Sequence, residues 1–319
     1  MIDFKYHVVS LISVFLAIAL GIIIGTTALN GGIVTNLRSN VSSLTDDKRD
    51  LENRVTALNQ AIENNSEFDA EVAPTLVKGA LNGQDFIVVT AGDNVTAELR
   101  DPIITMLQDA GGTNTGAISL TNSYTDPAHA DEMLNYASSD LPAGVTLPES
   151  NDEGAVVGAL LASMLVAPAG GTGQPSTAIT TVLSGLGSLG VLKVDSTDIT
   201  PAPNVVIVVS GQPADQADER NHMVLSLATA LDKAGANVVI AGDTASATGE
   251  GVVAAAREDA AVATSISTVD NADRASGRVN VVWALRAEAT GSSGAYGSAE
   301  EADPIAPSPS PLPEPAPAN

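Results

Sequence analysis

The sequence predicts an α/β protein: one N-terminal transmembrane helix, a heptad coiled-coil stalk, then a doubly wound, Rossmann-like parallel domain of two related halves. Three observations predict it. Residues 8–29 run 22 positions without Asp, Glu, Lys or Arg. Residues 34–62 place apolar side chains at alternating steps of 3 and 4. Beyond residue 75, short β-branched runs alternate with amphipathic segments and Gly-rich turns, the pattern of β-α-β units around a buried parallel sheet.

The apolar run comes first. At about 1.5 Å per residue it reaches roughly 33 Å, enough for a hydrocarbon core of roughly 30 Å. A cleaved secretory signal has an apolar region of only about 7 to 15 residues and a small-x-small cleavage site; Gly25-Thr26-Thr27 is a poor one. Lys5 and the terminal amine precede the span and the next basic residue is Arg38, so the positive-inside bias puts residues 1–7 in the cytoplasm. Everything beyond Leu29 is then extracytoplasmic, on a single-pass cell-membrane protein. Gly21 and Gly25 form a GxxxG pair that lets helix backbones approach in a bilayer, a signal of low specificity. Gly31-Gly32 is expected to interrupt the helix, or at least soften it, just outside the membrane.

The stalk, 33–67, has Val34, Val41, Lys48, Val55 and Ile62 at a positions and Leu37, Leu44, Leu51 and Leu58 at d positions. β-Branched a with Leu d favours a parallel two-stranded coiled coil, and a lone polar a residue, here Lys48, commonly fixes register. These nine residues are the expected partner-binding set. Asp47 and Glu52 would set acid against acid between identical parallel chains, which leans toward a different partner over a second copy. Asn64-Asn65-Ser66 and Pro74 are expected to end the stalk.

The extracytoplasmic domain, 75–297, repeats one pattern. Strand candidates Phe86–Ala91 and Ala117–Leu120 flank a helix ending at Ala110; Val205–Ser210 and Asn237–Ala241 flank one ending at Ala234. A helix over Gly251–Asp259, a strand over Thr264–Thr268 and a helix capped near Asp270 or Asn271 follow. Between the halves, residues 154–192 carry no charge. Ser150-Asn151-Asp152-Glu153 reads as a capping box for a helix over Ala155–Ala167, buried between the halves and followed by a mobile Gly170–Gly173 link; a re-entrant membrane segment is the alternative. Residues 298–319 form a Pro-rich, acidic tail expected to be extended or disordered.

Composition excludes several function classes. Beyond residue 67, 9 basic side chains face 31 acidic ones, a surface that repels nucleic acid. With no cysteine, disulfides, zinc fingers and thiol catalysis are ruled out. The loops Thr90-Ala91-Gly92-Asp93-Asn94 and Ser210-Gly211-Gln212-Pro213 stand where a nucleotide loop would, yet neither makes GxGxxG or GxxxxGK[ST], so no cofactor is expected. Asp93, Gln212, Asp243 and Asp270 are placed to line a strand-end cleft, although such acids serve more often as helix caps. His129 with Met133, and His222 with Met223, carry soft ligand types that suit copper, but two ligands do not make a site. No Ser or Cys nucleophile motif stands beside these histidines and no GxSxG occurs, so an enzyme is not expected and a cell-wall-modifying one is the least favoured reading.

The opening MIDFKYHVVSLISVFLAIALGIIIGTTAL, the heptads ending near Glu63, ATSISTVDNADRASGRVNVVWAL and GSSGAYG together resemble the actinobacterial family of mycobacterial copper transport protein B (MctB-type). The resemblance covers nearly the whole chain except the tail. It implies two functions. One is copper efflux through the envelope. The other belongs to corynebacterial members of the SteB type: cell separation, in which the anchored protein pairs with a second single-pass membrane protein (SteA-like) and influences a septal peptidoglycan hydrolase. A pore needs a closed barrel of alternating strands, which one apolar helix, a coiled coil and buried strands do not supply. The residues therefore favour an envelope protein acting by protein–protein contact in cell separation, with copper transport as the alternative.

Overall fold

The computed structural model describes residues 4–139, 141–167, 171–302 and 304–308, and of residues 27–34 the backbone without the side chains. It divides into two units, residues 1–65 and 66–319. Gly170, where the expected mobile link begins, lies outside the described residues, as do 309–319 of the expected tail.

Helix α1, Phe4–Val77, is unbroken. This corrects the expected interruption at Gly31-Gly32; the helix also continues through Asn64–Ser66 and Pro74, while the boundary between the two units falls between Asn65 and Ser66. A helical glycine costs only about 1 kcal/mol, and the Ile, Val and Leu turns on either side outweigh that local penalty. Pro74 removes one backbone bond within a turn of the helix end, where Ala73 and Val77 are buried in the core of the second unit. Burial overrides propensity there. Within α1, Phe4–Thr26 is long and apolar enough to cross a membrane.

Among the described residues the second unit is built on seven strands: β1 (Asp85–Ala91), β2 (Thr113–Leu120), β3 (Leu192–Val194), β4 (Asn204–Val209), β5 (Asn237–Gly242), β6 (Ser267–Val269) and β7 (Ala295–Tyr296). They lie in the order β3-β2-β1-β4-β5-β6-β7. All pairings are parallel except β2 with β3, so the sheet is mixed where a purely parallel one was expected. The reason is local: Val191 accepts from the Thr121 amide just past the end of β2, so β3 starts at that carboxyl end and must run back along the edge.

The apolar runs divide by period two. Ile87, Val89, Val205, Ile207, Val238 and Ile240 enter one core, and Phe86, Val88, Val206, Val208, Val239 and Ala241 the other. The first core is closed by α3 (Ala130–Ser138), α4 (Glu153–Leu165), α5 (Ser176–Ser188), α6 (Ala217–Lys233) and α7 (Val252–Glu258). The second is closed by α2 (Ala97–Asp109), α9 (Ala275–Glu288) and the end of α1. The short α8 (Ala260–Ala263) follows α7 directly.

Most of α4 is buried in protein, as the charge-free segment predicts; the re-entrant alternative is not what the structure shows. Its small residues bring it against α6: a Cβ at Gly158 would lie 3.1 Å from the Leu227 Cα. The helix begins two residues earlier than expected, with Asp152, not Ser150, as N-cap accepting from the Ala155 amide. Helix α5 occupies a stretch for which no second helix was foreseen. The strand expected over Thr264–Thr268 is Ser267–Val269, and α9 starts at Ala275. The beginning of the tail is not free. Ser298 and Ala299 donate their amides to Asp270, and Ile305 accepts from Gly297 N and Asn280 Nδ2.

Candidate functional site

Two places bring expected site residues together. The first is the α1 stripe. Leu37, Val41, Leu44, Leu51, Val55, Leu58 and Ile62 are each 52–66% exposed, and the Val34 side chain lies outside the described residues. A soluble helix face this apolar is normally covered. Lys48 meets Glu52 of its own helix at 3.3 Å, and Arg54 meets Asp50 at 2.9 Å. These exposed pairs support the helix by only a few tenths of a kcal/mol each. The stripe is thus available for a partner.

The second is a crevice of about 260 Å³ at the carboxyl ends of β1 and β4. Strand order reverses there, with chain leaving β1 toward β2 and β4 toward β5, so the two following loops diverge and leave a cleft. Gly92 (φ +97°) and Gly211 (φ +66°) turn those loops in the left-handed region. Asn94 Nδ2 donates to the Ser210 carbonyl across the cleft. Helix α6 starts from Gln216 in the left-handed conformation, without a side-chain cap. Arg220 donates from Nε to Asp215 at 3.1 Å and from Nη1 to the Asn122 carbonyl and Thr125 Oγ1, each at 3.2 Å. The expected residues fare unequally. Gln212 lines the crevice. Asp93 exchanges hydrogen bonds with Asn122, tying the loop after β1 to that after β2. Asp243 accepts from Ser210 Oγ at 2.6 Å, Gly211 N at 3.0 Å and Ser246 N at 2.9 Å, the capping role foreseen as commoner. Asp270 is fully buried, paired with Arg257 at 2.9 Å, and does not line this crevice. Sequence reasoning missed Arg220, Asn221 and Asn122. The polar loop GQPADQADE stops just short of Arg220 and Asn221, and nothing in the sequence around Asn122 ties it to them.

The soft-ligand pairs are not brought together. His129 caps the start of α3 and lies 3.7 Å from Glu132, while Met133 is 1% exposed in the core; Met223 is likewise buried. Among the described residues no group of three or more His, Cys, Asp or Glu is arranged to hold a metal.

His222, beside which the sequence carries no nucleophile motif, has a serine within reach one helical turn on. Ser226 Oγ lies 3.4 Å and Asp152 Oδ1 3.0 Å from His222 Nε2. Both partners use the same ring nitrogen, whereas a nucleophilic relay needs serine and carboxylate on opposite nitrogens. Burial works to raise the Asp152 carboxyl, but the His222 contact and the amides of Ala155 and Gly154 hold it below its ordinary value. That suits a structural cap.

The sequence matches, over residues 1–307, the family described as "Copper transport outer membrane protein, MctB". A Mycobacterium tuberculosis protein named "Copper transporter MctB" is 30% identical over 291 residues, covering 89% of this chain and 92% of that relative. The Mycobacterium leprae protein of the same name is 30% identical over 314 residues, covering 93% and 96%.

Proposed function

The chain belongs to the MctB copper transport family, and from that premise we propose that it serves copper transport in the envelope as a membrane-anchored contact protein rather than as the conduit. The observation that carries this is the exposed apolar stripe of α1, on the same helix as a segment able to cross a membrane. A conduit across lipid needs a closed barrel or a bundle of helices. The described sheet is open, is covered by helices on both faces, and ends at the short edge strands β3 and β7. Copper ligands and pore would then come from what the stripe holds. We place residues 1–7 in the cytoplasm and the α/β domain outside it, acting without turnover of its own.

A second reading, cell separation through a different single-pass partner and a peptidoglycan hydrolase, is favoured by one feature. In a parallel pair of identical chains Asp47 would face Glu52. One strain set separates the two. A deletion strain complemented with the native chain, or with a chain carrying Leu44→Ser and Leu51→Ser, is assayed for cellular copper and for chained, unseparated cells. Raised copper with normal separation, uncorrected by the variant, supports the transport reading. Chained cells at unchanged copper move the function to separation. Full correction of either defect by the variant refutes contact through the stripe.

A further inference from the structure

Beside the contact of α4 with α6 lies a cavity of about 540 Å³, within the range of small-molecule sites. The two helices approach closely because Gly154 and Gly158 carry no side chain; a Cβ at Gly154 would lie 2.9 Å from that of Ser226. Along the cavity Ala155, Ala159, Ala162, Ala230 and Ala234 present only methyl groups, with Leu225 and Val262 as further apolar lining. Ala155, Ala159, Ala230 and Ala234 are half-buried, so the lining is reached from outside. Two of its hydroxyls are engaged within the protein: Ser163 Oγ donates to the Leu160 carbonyl at 2.7 Å, and Ser226 Oγ lies 3.4 Å from His222 Nε2. Such a surface favours a hydrocarbon body over a polar one.

The charges differ between its ends. At one end Asp152 and His222 meet at 3.0 Å. At the other, on the last turn of α6, stands Lys233, exposed and without an ion pair among the described residues. Asp259, the remaining ionisable group of the lining, is engaged as the cap of α8, accepting from the amides of Ala261 and Val262 at 2.8 and 3.3 Å. Lys233 is therefore the charge left to a ligand, and it calls for an anionic head. From His222 to Lys233 the helix rises about 16 Å at 1.5 Å per residue. Half of a hydrocarbon core of roughly 30 Å, the reach of one lipid chain, is about the same length.

We propose that this cavity binds a fatty acid, a single unbranched chain of about twelve to fourteen carbons lying along the alanines, with its carboxylate against Lys233 Nζ. The full chain, in nanodiscs of phosphatidylcholine, is irradiated with myristic acid that carries a diazirine at mid-chain, and labelled residues are mapped by mass spectrometry. The readout involves neither copper nor the α1 stripe. Label is expected on α4 and α6, within 155–163 and 225–234, besides the segment Phe4–Thr26 that any membrane-dissolved probe reaches. Excess unlabelled myristate should remove the label from α4 and α6, whereas tetradecylamine, of equal chain length with a cationic head, should not. Lys233→Gln should reduce that label about threefold, and Ala159→Phe, which fills the cavity, should abolish it. Should Ala159→Phe not fold, the wild-type map and its competition by myristate decide. Label confined to Phe4–Thr26 overturns the proposal. So does equal competition by tetradecylamine, or equal labelling of α4 and α6 by a phosphatidylcholine with the same photoreactive chain, which would give the cavity to membrane lipid.

Discussion

Glu288 closes α9 with its carboxyl half-buried, and burial, aided by the charge of Asp232, pushes its pKa up to about 7 against the hydrogen bond it accepts from Ser267 Oγ at 2.5 Å. The C-terminal end of a helix adds to the disfavour of an anion. A carboxyl whose folded pKa exceeds its unfolded value binds a proton more tightly in the native state. Stability is therefore greatest below the unfolded value near 4.5 and falls as pH rises toward about 7, levelling off above. The full shift would correspond to roughly 3 kcal/mol; because the group is only half-buried, solvent screening reduces this to about 1–2 kcal/mol. Glu288→Gln keeps the shape and an acceptor for Ser267 but carries no charge. Urea unfolding of both chains at intervals between pH 4.5 and 8 should show the variant more stable by about 1–2 kcal/mol at pH 8, with a flatter profile below. Parallel profiles for the two chains would refute the assignment of the slope to Glu288.

Two further outcomes follow from the same reasoning. In a pair of identical chains Leu44→Ser with Leu51→Ser exchanges four d-position side chains, a loss of roughly 6 kcal/mol that should raise the dissociation constant about four orders of magnitude in analytical ultracentrifugation, and in a pair with a different partner two side chains and about half that loss; an unchanged constant would mean that the stripe is not the seam. Asp270→Asn leaves Arg257, 6% exposed, without its counter-charge, and should cost about 3–5 kcal/mol in urea unfolding, whereas a loss under 1 kcal/mol would show that the buried pair contributes little.

The sheet was legible because four of its central apolar runs are continuous, and period two inside a buried strand distributes them to two cores without further instruction. What could not be read were the edges and joints. β3 and β7 are three and two residues long, too short to carry a pattern, and β3 takes its direction from where the preceding turn leaves the chain. Asp270 was misplaced for a related reason: an acid after a strand usually caps a helix, but here Arg257 arrives from α7 and the chain after β7 folds back to donate two amides, and neither contact is local in sequence. The same limit hid Asn221. Its side chain is held by the Glu250 carbonyl, 29 residues further along the chain.

The unbroken α1 also changes what a partner can cover. At about 100° per residue, the Gly21 and Gly25 face points some 150° away from the mean direction of Leu37, Val41 and Leu44. A flexible break at Gly31-Gly32 would have allowed the two faces to swing into line; a continuous helix removes that freedom. A neighbour zipped along the heptads therefore cannot also pack on the glycine face, and two straight copies paired through the stalk leave Gly21 and Gly25 pointing outward. The glycine face then meets lipid or a second neighbour, and a protein of this build joins up to two different contacts on opposite sides of one helix. Cysteine cross-linking tests the geometry in native membranes. Leu44→Cys should give a disulfide-linked product, Gly21→Cys should give none with the same partner, and a common product from both positions would mean that the helix bends between them after all.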